Sequence, residues 1–428
     1  MGSMRARLQE IPVSARSLDR YRGLVPAEQI ERARAAARPL AGTRVLYVAT
    51  APPEAADASA SLAALLAGLG LEVRRVVLHG DAEFTAAAAD FADALRGSDW
   101  ARGDRDWDAL REACEAAAVE FDPRPFDAVV VQGAGAAPLV EGRRGGAAWL
   151  WRTGVDASEP ADGARGRLLP MLGAYSGLSF ALPGFVPAGL DAERLRVVPG
   201  AFDPLAAAAT ARGPWPAEVD PSRPLVCRIG RLDSWADPVA AVEAWLLARG
   251  EAPGLQLAVA GRVDPSDPEA PGVLEEVRAY ADGEEDLHLV TDRNGASPRT
   301  IAAIATLARC ALRGEVGDEF DPGVAASQWR GTPVIGGGES IEAQVRNGEG
   351  GFIAADPERQ AVRIAAIANG PRRALQVARA GRDRVLPLFS VVRLLGDELD
   401  WLEVVVERGR AAGGERAAWP RTRLGSAA

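Results

Sequence analysis

The sequence predicts an α/β protein built from two doubly wound halves that face a cleft. Apolar runs of strand length alternate with amphipathic helical stretches along nearly the whole chain, the pattern of parallel sheets covered by helices. The alternation breaks once, between Leu205 and Pro224, where Ala, Pro and Gly dominate and periodicity fades, and then it resumes. A length of 428 residues with 48% hydrophobic content can bury two large cores.

In chain order, Arg44–Thr50 reads as the first buried strand, Ala58–Leu69 as an Ala/Leu helix and Glu72–Leu78 as the next strand. The Trp100 and Trp107 region, dense in Asp and Arg, reads as a surface loop and short helix. Ala128–Val131 follows the Asp-Pro-Arg-Pro turn as a strand, and Leu195–Pro199 closes the half. In the second half the expected strands are Leu225–Gly230, Leu255–Ala260, Leu287–Val290 and Pro333–Ile335. The expected helices are Val239–Arg249, Val273–Asp282, Thr300–Ala308, Val324–Arg330, Gln360–Ala368 and Arg372–Arg384. Val391–Arg408 carries Leu394, Leu395, Leu399, Leu402 and Val405 at helical spacing. The predicted division is 5–205 as first domain, completed by 386–408, then 206–224 as linker, 225–385 as second domain and 409–428 as a disordered tail.

Composition removes several function classes. A net charge of −10 with scattered basic residues argues against nucleic acid as a partner. No apolar run reaches membrane-spanning length and no secretory pattern opens the chain, so no membrane role and a cytoplasmic location are expected. Three distant cysteines, Cys114, Cys227 and Cys310, imply neither a disulfide framework nor a zinc site, and no metal is expected. With two histidines, His79 and His288, histidine-based catalysis has little material. His288 sits in an apolar strand pattern and reads as core; His79, at a strand end, is the weaker site candidate.

Chemistry concentrates in a few phrases. Arg228-Ile229-Gly230-Arg231-Leu232-Asp233-Ser234-Trp235-Ala236-Asp237-Pro238 joins a strand to a helix N-terminus, a place suited to an anion. Gly336-Gly337-Gly338 precedes another apparent helix, with backbone N–H groups for the same purpose. Trp149-Leu150-Trp151-Arg152 runs toward Asp156, and Asp318, Glu319 and Asp321 form an acidic turn. Trp151 and Arg152 suit an acceptor pocket, or equally a buried Trp with an Arg152–Asp156 ion pair.

These phrases, in this order, resemble the family-4 retaining glycosyltransferases of GT-B architecture, most closely the trehalose-forming synthases. The Arg231 phrase is similar to the family's Ser-Arg-Phe-Asp-Pro-Trp-Lys-Asp-Pro, and Trp329-Arg330-Gly331-Thr332-Pro333-Val334-Ile335-Gly336 to its Trp-Lys-Gly-Lys-Pro-Val-Ile-Gly. Asn347-Gly348-Glu349-Gly350-Gly351-Phe352 is similar to Asp-Gly-Glu-Thr-Gly-Phe. The resemblance implies two Rossmann-like domains, with a C-terminal helix crossing back to the first. It implies transfer of a sugar from a nucleotide-sugar such as UDP-, ADP- or GDP-glucose to a sugar-like acceptor, with no further cofactor. It also makes Arg231 and Gly336–Gly338 donor or phosphate ligands, and Asp156 and Asp318 the catalytic candidates.

Several matched positions depart from the family. The first-domain glycine loop falls on a stretch containing Pro52 and Pro53, which lack N–H donors. The family's donor-contacting His becomes Gly154, and its phosphate-binding Lys becomes Ala236. In the paired-glutamate motif the two glycines become Glu319 and Asp321, and the ribose-gripping Glu becomes Ala326. Each added carboxylate beside a diphosphate costs roughly 1 kcal/mol or more at short range. The expected function is therefore a glycosyltransferase homologue with a degenerate donor site, a pseudoenzyme or partner subunit working as a homodimer or with an active glycosyltransferase. The alternatives are an active retaining transferase, and a sensor of a sugar or phosphorylated metabolite.

Overall fold

The computed structural model describes residues 4–50, 58–143, 145–206, 215–232, 237–263, 270–294, 297–313 and 320–411. They form two units. One runs to Gly200 and resumes at Val391; the other is essentially Ala201–Ser390.

The first unit contains a seven-stranded sheet in the order β1-β3-β2-β4-β5-β6-β7. Its strands are β1 (Ala6–Ile11), β2 (Arg44–Ala49), β3 (Glu72–Gly80), β4 (Ala128–Gln132), β5 (Ala148–Thr153), β6 (Gly177–Phe180) and β7 (Leu195–Val197). All neighbours run parallel except β1, which adds antiparallel to β3. The central strands are continuous apolar runs because both faces are covered: Val129, Val130 and Val131 have no exposed surface. The helices are α1 (Ala27–Ala37), α2 (Ser59–Gly68), α3 (Ala82–Leu95), α4 (Gly103–Phe121) and α5 (Asp162–Leu172). Helix α4 corrects the expectation of a loop and short helix. Leu110, Ala113, Cys114, Ala117 and Ala118 give 19 residues a buried stripe. Trp107 is part of it, its ring 4.7 Å from that of Phe91.

The C-terminal helix Val391–Ala411 belongs to this first unit and packs on α1, α2, β4 and β5. Leu395, Leu399, Leu402 and Val405 form its buried stripe, as their spacing requires. The tail beyond 411 lies outside the described residues.

The second unit has its own seven-stranded sheet, in the order β10-β9-β8-β11-β12-β14-β13. The strands are β8 (Leu225–Arg231), β9 (Gln256–Arg262), β10 (Leu287–Thr291), β11 (Cys310–Arg313), β12 (Val334–Gly336), β13 (Arg346–Asn347) and β14 (Gly350–Ile353), and every pairing is parallel. The helices are α6 (Pro238–Ala248), α7 (Ala270–Ala281), α8 (Pro298–Leu307), α9 (Pro322–Arg330), α10 (Glu339–Gln344), α11 (Pro357–Asn369) and α12 (Pro371–Phe389). From β8 the chain winds outward through β9 and β10, then returns to the other side of β8 with β11. The sheet's topological switch point therefore lies between β8 and β11, where such folds place ligands beyond the strand carboxyl ends. Residues 215–224, read above as linker, put Val219 into the core of this unit. Asp220 is tied to Gln256 there by two hydrogen bonds of 2.9 and 2.8 Å.

Candidate functional site

At the switch point, register sets Leu312 of β11 beside Arg228 of β8, so both strands deliver arginines to the same end. Arg228 is 1% and Arg313 5% exposed. Both approach the bare Cα of Gly230: a Cβ there would lie 2.6 Å from Arg228 Nη1 and 3.2 Å from Arg313 Nη1. The missing side chain is what lets two guanidinium groups share this corner. Arg330, on the last turn of α9, lies close enough to Arg313 to feel its charge. Burial first, then Arg313, lowers its pKa to about 10.

Helix α9 starts in front of these cations. Asp321 is its N-cap, with Oδ1 accepting from Gly323 N–H at 2.6 Å, and Pro322 occupies the first helical position. The same carboxylate lies 3.3 Å from Arg313 Nη1. Gly323 is enclosed too, since a Cβ would meet Arg313 Nη2 and Asp321 Oδ1 at 2.8 Å. Ala326, one turn on, is buried.

Arg231 ends β8, opposite Arg262 in the β9 register. Helix α6 then begins at Asp237, which holds a left-handed φ of 36° and accepts from Ala240 N–H at 3.1 Å. Gly336 ends β12 on the β11 side, paired with Arg313. Gly337 is packed so closely that a Cβ would lie 2.5 Å from Ala355 Cα. Gly338 turns the chain at φ 93° into α10, which has only six residues. Close packing and a turn thus account for these glycines locally. Pro52, Pro53, Ala236, Asp318 and Glu319 lie outside the described residues, as does Asp233.

In the first unit Trp151 is wholly buried in β5, its indole N–H donating to Gly133 O at 3.0 Å and its ring meeting Phe180 edge-on. Its ring supports the sheet and offers no open pocket surface. Arg152 does not pair with Asp156. Its guanidinium meets Glu398 of the C-terminal helix, a carboxylate with no exposed surface, and lies over the Trp401 ring at 5.5 Å. Glu398 also accepts from Tyr47 Oη at 2.5 Å. Burial and then the Glu398 charge push the Tyr47 phenol well above its ordinary range. Asp156 instead closes a turn, accepting from Ser158 N–H at 2.9 Å, and Gly154 follows the strand end. The earlier pairing was a short-range inference; the true partner is 246 residues away.

His288 is core, as its pattern implied. Its Nε2 lies 3.1 Å from Gln256 Oε1, and Gln256 is oriented by donating Nε2–H to Asp220 O, so the imidazole donates from Nε2. The cysteines are all buried thiols. Among the described residues no group of three or more His, Cys, Asp or Glu is arranged to hold a metal ion. No described helix is long and apolar enough to cross a membrane. Sequence reading missed Arg228, Arg313 and Arg330 as a group. The available signal was an arginine interrupting each of two apolar strand runs.

The chain is similar to known proteins. A family model for the trehalose synthase N-terminal domain matches residues 55–187. The chain is 26% identical to the trehalose synthase of Rubrobacter xylanophilus over 415 residues, 92% of this chain and 98% of the relative. With the trehalose synthase of Pyrococcus horikoshii it shares 25% identity over 408 residues, at the same 92% and 98% coverage. This chain is a GT-B relative of the trehalose synthases. Solved structures agree on the fold of this trehalose-synthase relative. The E. coli trehalose-6-phosphate protein bound with UDP-2-fluoro glucose aligns over 87% of this chain and all of its own, with TM-score 0.68 and 12% identity. An α,α-trehalose 6-phosphate synthase from Burkholderia multivorans aligns over 86% and 99%, with TM-score 0.69 and 13% identity.

Proposed function

We propose that this trehalose-synthase relative is a glycosyltransferase homologue with a degenerate donor site, working as a binding or partner subunit beside a second copy or an active glycosyltransferase. The observation that carries it is the start of α9. A helix N-terminus binds a phosphate through bare N–H groups and its dipole. Here Pro322 has no N–H, and the Gly323 N–H is taken by the Asp321 carboxylate at 2.6 Å. The chain has put its own anion where the family resemblance places the donor diphosphate. Ala326 further lacks the carboxylate that the resemblance assigns to the ribose, a charge-assisted contact worth about 1.5–3 kcal/mol. Isothermal titration with nucleoside diphosphates and nucleotide-glucoses is expected to show no saturable heat in the micromolar range. Micromolar binding would sink the degenerate reading.

Alignment over nearly the full length of curated trehalose synthases favours a second reading, an active retaining transferase with a different donor or acceptor. Arg231 at the end of β8 is then its phosphate ligand, with Arg152, Asp156, Asp318 and Gly336–Gly338 as the remaining family positions. On that reading Arg231→Ala abolishes turnover, and an unchanged rate removes it.

A further inference from the structure

On one face of the second unit's sheet the helices lie in a row, α7, α6, α11, with α6 packed against both neighbours. Their carboxyl ends are tied together. Arg249, just past α6, pairs with Glu284 beyond α7 at 2.8 Å, and Asn369 at the end of α11 donates Nδ2–H to Glu251 O at 2.7 Å. The three helices therefore run side by side in the same direction. Charge changes sign across the row. Residues 270–286, α7 and the turn after it, hold six carboxylates and one arginine. Residues 359–384, from α11 into α12, hold seven arginines and one carboxylate.

Part of that charge is not used within the chain. Among the described residues Glu276, Asp282 and Glu285 at the acidic end form no ion pair, and neither do Arg363, Arg372 and Arg373 at the basic end. Arg363 and Arg373 both lie over the Phe352 ring, 5.0 and 5.9 Å from its centroid, which keeps two like charges in one corner. Apolar surface is exposed between the two ends. Among the described residues the most exposed large hydrophobic side chains are Val362 of α11, at 66%, and Leu247 of the middle helix α6, at 53%. One exposed apolar residue needs no explanation. Two on neighbouring helices, flanked by opposite charges, make a surface that complements itself.

We propose that this face binds a second copy of the chain. A two-fold axis lying along α6 sets α7 of each copy over α11 of the other, with the two Leu247 side chains meeting near the axis. An axis across the helices would set α7 on α7 and α11 on α11, like charge on like. Glu243, one turn before Leu247, opposes the contact as a single like-charge pair near the axis, against opposite charges on both flanks. The chain's net charge of −10 opposes association at long range, where salt screens it beyond about 8 Å at physiological ionic strength. The pairing supplies the second copy of the partner-subunit reading and rests on that part of it; the state of the donor site does not enter.

The test is sedimentation equilibrium of the full chain at physiological ionic strength. Wild type is expected to sediment with twice the mass of one chain. Arg372→Glu with Arg373→Glu makes both flanks acidic and is expected to weaken the dimer about tenfold or more. Glu276→Arg with Glu285→Arg makes both flanks basic and is expected to do the same. An equimolar mixture of these two variants is then expected to form a heterodimer, because each flank again meets its opposite. Leu247→Arg, which sets two like charges at the axis, is expected to give monomers. All five positions are exposed, so the variants keep the fold, which circular dichroism checks. A monomeric wild type overturns the proposal and leaves the face to a different partner. A wild-type dimer that neither reversal weakens also overturns it, because that dimer forms through another surface. A mixture of the reversed variants that stays monomeric overturns it too. Nucleotide-glucose titrated into the same sample separates this surface from the donor reading. A dimer that binds it at micromolar concentration keeps the surface and removes the degenerate donor, whereas a monomer silent toward it removes the surface and leaves the degenerate donor.

Discussion

Glu398 is completely buried, yet it holds both the Tyr47 hydroxyl and the Arg152 guanidinium. A buried ion pair adds little net stability against an apolar substitute, but breaking one leaves an uncompensated charge. Glu398→Ala should therefore cost about 3–5 kcal/mol in urea unfolding. Asp400→Ala, which removes a half-exposed partner of Arg32, should cost less than about 1 kcal/mol. Equal costs would mean that Glu398 is solvated on the unfolding timescale. His288 gives a pH signature. Burial lowers its pKa from the ordinary 6.5, so the native ring resists a proton that the unfolded chain accepts. Stability should fall as pH drops through 6.5 and level off below the depressed folded value. His288→Gln should flatten that segment of the curve, read by thermal melts from pH 7.5 downward. An unchanged slope in the variant would assign the loss to other groups.

Among the elements, what the sequence made legible followed burial. The runs that become β2, β3, β4, β8, β9 and β10 are long and apolar, and their identities stand out. The edge strand β1 alternates Arg7, Gln9 and other polar residues, and it owes its existence to antiparallel pairing with β3 rather than to its own pattern. Strand β11 is four residues long, and β5 looked like a tryptophan motif instead of a strand. Missing β11 hid the switch point, and with it the meeting of Arg228 and Arg313. Helix α9 allows a direct experiment. Asp321→Ala removes the cap and should cost roughly 0.5–2 kcal/mol of stability. The same change removes a carboxylate from the anion position, so affinity for a nucleoside diphosphate should rise in isothermal titration. A stability loss without any gain in affinity would show that Asp321 only caps the helix.

For the molecule as a whole, fold and kinship were readable because both rest on many weak signals in a fixed order. The condition of the site was not, because it turns on where a few charges lie. Arg152 illustrates this: its nearest acidic neighbour in sequence is the wrong one, and the right one comes from the last helix of the chain. Ala236 is more telling in a chain without lysine. A drift that exchanged every lysine for arginine would have kept a cation at that position, and alanine does not.

The first unit is interrupted: its chain leaves after Gly200 and comes back only at Val391. Arg393 binds that return, donating to Pro199 O and Gly200 O at 2.7 Å each. On a ribosome, residues 4–200 must wait for the final helix before Glu398 can reach Tyr47 and Arg152. The intervening unit by then has its whole sequence available. The first unit is thus completed only after the second has been synthesised, and until then its parallel sheet lacks the helix that packs on β4 and β5.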